Sequence, residues 1–78
     1  MKHLKVFTAK WCGPCKQLAP LLEGLDILVV KIDIEDEPNI AEIHGIRGVP
    51  TLKLYDDYTY KGSRYGAQTK EQLLEFIK

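Results

Sequence analysis

Apolar residues fall along the chain in short blocks whose spacing changes from one block to the next. Leu4 to Ala9 is short, apolar and β-prone, and predicts a strand. From Lys16 to Leu25 the apolar positions are Leu18, Leu21, Leu22 and Leu25, the spacing of one helix face. Pro14 falls in the first turn of that helix, where a missing N–H does no harm, whereas Pro20 lies inside and predicts a kink. Gly24 is placed to end it. Ile27 to Ile32 is nearly unbroken in its apolarity, as expected of a parallel strand covered on both faces.

Asp36, Glu37 and Pro38 suit the opening of a second helix, with acids at the positive end of its dipole and proline in the first turn. Ile40 and Ile43 are expected to supply its buried face, and Gly45 its stop. Thr51 to Tyr55 predicts a third strand, Asp56-Asp57 a turn, and Tyr58 to Lys61 an antiparallel fourth strand. Thr69 with Gln72 forms a capping-box start for a last helix, with Leu73, Leu74 and Ile77 expected inward. The order β-α-β-α-β-β-α predicts an α/β fold, a mixed four-stranded sheet flanked by helices.

Composition narrows what such a fold can do. Seventy-eight residues make one domain, and a domain of this size buries only about 60% of its unfolded surface. Eleven basic residues balance eleven acidic ones, so charge gives no reason to expect nucleic acid or an anionic membrane as partner. No apolar run reaches the length of a signal peptide or a membrane span, and the expected location is the cytoplasm.

The only two cysteines, Cys12 and Cys15, stand three positions apart. As a staple, so short a loop stabilises by only roughly 2 kcal/mol, and small disulfide scaffolds use several bridges over longer loops. Placed before a helix and inside a βαβ pattern, the pair instead predicts reversible redox chemistry. Unpaired N–H groups and the dipole at the helix start favour a thiolate. Cys12 is expected to be the exposed thiol of lowered pKa that attacks a substrate disulfide. Cys15, one turn on, then attacks Cys12 and releases the reduced substrate. Gly13 and Pro14 between them permit a tight turn and limit its flexibility. Half of a zinc site is the competing reading of this spacing. Beyond the cysteines only His3 and His44 offer nitrogen, they lack the usual close spacing, and both are more simply surface histidines.

Trp11-Cys12-Gly13-Pro14-Cys15-Lys16 resembles the active-site motif of the thioredoxin family, and Ala19-Pro20 resembles that family's kinked helix. Gly45 to Thr51 is similar to its cis-proline loop, and Gly66-Ala67 to the small-residue turn beside the site. The resemblance covers nearly the whole chain and implies a single thioredoxin-like domain over residues 1–78. It implies a monomeric protein-disulfide reductase with no bound cofactor beyond the Cys12–Cys15 disulfide. An NADPH-dependent thioredoxin reductase would supply electrons, and disulfide-containing proteins such as reductive enzymes would be the substrates. Pro50 would be cis and packed against the disulfide, and Val49 would offer its backbone to an extended substrate segment. Trp11, Gly13, Pro14, Val49, Pro50, Gly66 and Ala67 would bind substrate.

Two departures stand out. The family's leading strand and helix are absent, which leaves a chain of glutaredoxin length. The acid that the family buries beneath its cysteines should lie five residues before Trp11, where this chain has Val6, while Lys31 holds the place of that acid's lysine partner. A glutathione-dependent glutaredoxin and a non-catalytic binding subunit are the alternative readings. Asp33 to Glu37 reads as a solvated helix entrance, lacking the spacing and glycine of a calcium loop. Tyr55, Tyr58, Tyr60 and Tyr65 read as strand-surface pairs, not a nucleobase platform.

Overall fold

Four strands and three helices follow one another in the predicted order in a computed structural model that describes residues 1–78. They are β1 (Lys2–Thr8), α1 (Gly13–Glu23), β2 (Leu28–Asp33), α2 (Pro38–Ile43), β3 (Thr51–Asp56), β4 (Thr59–Tyr65) and α3 (Lys70–Phe76). The sheet order is β2-β1-β3-β4, with β1 and β2 parallel and the other pairs antiparallel. No helix is long and apolar enough to cross a membrane.

Alternation along β1 divides the sheet into two unequal faces. Leu4 and Val6 lie opposite Leu54 and Leu52 of β3, and this face receives Leu18 and Leu22 of α1 and Leu73 of α3. These residues, with Leu25, form the main core. The other face carries His3, Lys5 and Phe7 of β1, opposite Tyr55, Lys53 and Thr51. Here the cover is the end of α2, where the His44 ring packs 5.1 Å from Phe7.

That inequality corrects several expectations. β2 is an edge strand: Leu28 and Val30, on the α2 face, are 58% and 39% exposed, so β2 is not covered on both sides. Helix α2 has fewer than two turns and buries Ala41; Ile43 is 82% exposed and Ile40 is at the surface. Leu74 likewise faces solvent, leaving Leu73, with Phe76 and Ile77 packed against the core beside it, to anchor α3. Helix α1 begins at Gly13, earlier than its apolar spacing showed, because Cys12 already acts as its N-cap. Its end falls at Gly24 as expected, with Leu25 buried just beyond. Strand β4 runs to Tyr65, well past Lys61, because its ladder with β3 continues to the Thr51–Tyr65 pair. His3 and His44 are half-buried, not free surface groups.

The turn chemistry follows the sequence. Gly45, at φ +67°, follows the C-cap of α2, and Asp57 adopts φ +56° between β3 and β4. Thr69 and Gln72 form the reciprocal capping box on α3. Asp33 accepts the N–H groups of Glu35 and Asp36 and so shapes the entrance to α2.

Candidate active site

Strand β1 ends at Thr8, and the chain turns through Ala9 to Trp11 before α1 starts. That turn places Cys12 in extended conformation at the helix N-cap. Cys12 and Cys15 are joined as a disulfide across one helical turn, with Cα atoms 5.3 Å apart. The Cys15 N–H donates to the Cys12 sulfur at 3.2 Å. A sulfur therefore takes the capping position usually held by a serine, threonine or aspartate oxygen. On reduction, the same N–H and the helix dipole act on whatever charge that sulfur carries, and they favour the thiolate.

Exposure does not separate the two cysteines as expected: Cys12 is 4% exposed and Cys15 7%. Ala9 completes their small apolar cluster, with Ile34 and Val49 packed against it. Cys12 is distinguished by its cap position, not by greater access to solvent. Ile34 was not singled out in the sequence; its only signal there is an apolar residue just past an apolar strand.

The loop before β3 closes over the sulfurs. The Val49–Pro50 peptide bond is cis, Pro50 is buried, and the Val49 carbonyl lies 3.7 Å from the Cys12 sulfur. In the disulfide that sulfur has no proton to donate, so the approach is a contact; a reduced thiol there has an acceptor at hand. Gly66, at φ +86°, donates its N–H to the Pro50 carbonyl at 2.9 Å. The Gly66-Ala67 turn is thus tied to the Pro50 loop, although the two are separated by all of β3 and β4.

Around this centre Trp11 is 65% exposed, which rules out simple core packing for its ring. Gly13, Pro14 and Ala67 are also exposed, while Val49 and Gly66 are half-buried. A Cβ added at Gly13 would meet nothing within 4 Å, so the glycine leaves open space beside the disulfide.

On the inner side, Val6, Thr8, Ala9, Cys15, Lys16, Ala19 and Lys31 line a cavity of about 170 Å³. Val6 and Lys31 are direct neighbours across the β1–β2 pair. This cavity reaches Cys15 and contains two amines but no carboxylate. The departure at Val6 therefore lies in the wall of the cavity that reaches Cys15.

Comparison with known proteins agrees with this geometry. The family model described as Thioredoxin matches residues 2–78. The thioredoxin of Rickettsia felis is 38% identical over 77 residues, covering 91% of this chain and 73% of the relative. Among solved structures, a mutant thioredoxin from Halobacterium salinarum superposes with a TM-score of 0.90 at 38% identity, covering 97% of this chain and 71% of that one. A structure described as the basis of thiol resolving in yeast mitochondrial 1-Cys peroxiredoxin via glutathione/thioredoxin systems gives 0.88 at 33% identity, covering 97% and 76%.

Proposed function

The chain belongs to the thioredoxin family, and from that premise we propose the division of labour by which its Cys12–Cys15 pair reduces protein disulfides. Thiol–disulfide exchange through this pair is the activity of the family, and the disulfide is its redox group. Cys12 attacks one sulfur of the substrate disulfide as a thiolate, forming a mixed disulfide and expelling the other substrate sulfur, which takes a proton. Cys15 loses its proton and attacks Cys12, closing the Cys12–Cys15 bond and releasing the second substrate thiol. Two electrons pass to the substrate.

One observation carries the assignment of Cys12 as nucleophile: its sulfur already accepts the Cys15 N–H at the start of α1. Trp11, Gly13 and Pro14 form one bank of the substrate contact and Val49, Pro50, Gly66 and Ala67 the other. The Gly66–Pro50 hydrogen bond supports treating the second bank as one unit. An extended substrate segment paired with Val49 fits the half-exposed loop there.

Electrons come from an NADPH-dependent, flavin-containing thioredoxin reductase, and the substrates are disulfide-bearing proteins, thiol peroxidases and reductive enzymes among them. The unit works as a monomer, a single domain over residues 1–78, in the cytoplasm. Reduction of a test protein disulfide with either a cognate thioredoxin reductase or glutathione as donor checks this reading. Faster turnover with the reductase is expected; faster turnover with glutathione would transfer the protein to the glutaredoxin class.

A further inference from the structure

On the α2 face of the sheet, next to the loop that carries Val49 and Pro50, positive charge collects without a counter-ion. Lys5 and Lys53 stand directly opposite each other in the β1–β3 ladder, an arrangement that costs stability. The chain's ion pairs lie elsewhere: Met1 with Asp56 and Asp57, and Lys78 with Glu75. Lys5 is turned over the Tyr55 ring at 4.8 Å, and the Lys53 amine donates to the His44 carbonyl at 2.9 Å.

Beside Lys53 a cleft of about 440 Å³ opens between the 44–48 loop and the β3–β4 hairpin. Three basic residues line it, His44, Arg47 and Lys53, together with the hydroxyl-bearing Thr51, Tyr60, Ser63 and Tyr65; the Thr51 hydroxyl is donated to the Gly48 carbonyl at 2.7 Å. No carboxylate lines it. Tyr65 lies close across Gly48, where an added Cβ would come within 2.7 Å of its hydroxyl and push that exposed ring aside. The loop also leaves the backbone N–H groups of Arg47 and Gly48 without an acceptor in the protein. His44 is held below its ordinary pKa by burial and then by the positive charges of Lys53 and Lys5.

We propose that this cleft binds a phosphate group, with Arg47 and Lys53 as its charged donors and the hydroxyls of Ser63 and Tyr65 completing its shell. An arginine fork and hydroxyl donors suit a compact dianionic oxyanion, and charge-assisted hydrogen bonds to it are the stronger kind. The cleft is larger than free phosphate requires, and the Tyr60 and Tyr65 rings leave room for an organic group on a phosphate monoester.

Titration of the ¹⁵N-labelled oxidised protein with inorganic phosphate, and separately with phenyl phosphate, tests this by NMR. Sodium chloride at matched ionic strength is the control. Saturable shifts confined to residues 44–48, 51–53 and 60–65 are expected with phosphate and not with chloride. Arg47→Gln should weaken binding about tenfold or more, because a charged donor is lost. Arg47 is exposed, so this variant keeps the test open even if Lys53→Gln, which also removes the bond to His44, disturbs the loop. Tighter binding of phenyl phosphate assigns the cleft to an organic phosphate, and equal binding assigns it to free phosphate. Shifts that chloride reproduces, that spread over the surface, or that survive Arg47→Gln unchanged would overturn the proposal.

Discussion

Cys12 is the helix cap of α1, and in the proposed division of labour it is also the attacking sulfur, which sets what single substitutions should do. Cys15→Ser removes the resolving thiol but keeps the N–H that points at Cys12, so mixed disulfides with substrates should accumulate. Cys12→Ser should restore an oxygen cap and trap nothing, since Cys15 is left buried without the cap's assistance. Mass spectrometry of adducts from both variants checks this, and equal trapping by the two would reverse the assignment. Resolution has a separate requirement, removal of the Cys15 proton, and the cavity beside it offers Lys16 and Lys31 but no carboxylate. We expect the resolving step to be slower than attack near neutral pH and to accelerate as pH rises. Val6→Asp should speed that step while lowering stability, since Val6 is buried and an unpaired carboxylate there costs about 1–3 kcal/mol or more. Rapid-mixing kinetics separate the two steps; a resolution rate indifferent to both pH and Val6→Asp would show that this proton is not limiting.

At the scale of the elements, much was legible because local rules and tertiary structure agree. The capping box at Thr69 and Gln72 forms as read, and Thr69→Ala should cost about 1 kcal/mol in denaturant unfolding. Gly45 ends α2 at positive φ as read, so Gly45→Ala should be destabilising by a similar amount, roughly 1 kcal/mol, although the space for a methyl group is open. The illegible parts depend on what each element meets. Ile40 and Ile43 have the spacing of a buried helix face, but α2 buries Ala41 instead, and the His44 ring at its C-cap is what packs on Phe7 of the sheet. The apolar run of β2 says nothing of its place in the sheet order, and at the edge its Leu28 and Val30 remain open. In the site, the Cys12-Gly13-Pro14-Cys15 motif was legible in the chain. The sulfur cap and the tie from Gly66 to Pro50 were not, because each is a three-dimensional contact that no spacing encodes.

For the whole molecule, the two sheet faces should answer to mutation very differently. Leu52→Ala, in the fully buried face, should cost about 2–5 kcal/mol. That is a large part of the roughly 5–15 kcal/mol a folded domain possesses. Leu28→Thr on the open face should stay within about 0.5 kcal/mol. Chemical denaturation of both variants makes the comparison; equal losses would mean the α2 face is covered in solution. The same face gives the fold a dependence on pH. Burial and the neighbouring lysines lower the His44 pKa from 6.5, so as pH falls the unfolded chain takes up this proton first. Its contribution is whole above pH 6.5 and declines as pH drops from there toward the folded-state value. His44→Gln should flatten that part of the stability profile, followed as the denaturant midpoint between neutral and mildly acidic buffer.

The sulfur at the start of α1 also binds two measurements into one closed cycle. Folding and disulfide formation are linked equilibria, so the difference in unfolding free energy between oxidised and reduced protein equals the difference in disulfide-forming tendency between folded and unfolded chain. Any group that holds the Cys12 thiolate at the helix start strengthens the reduced form and, by that identity, makes the folded protein a better oxidant. Paired melting curves of the two redox forms therefore rank active-site variants by reducing power without an electrode or a redox partner.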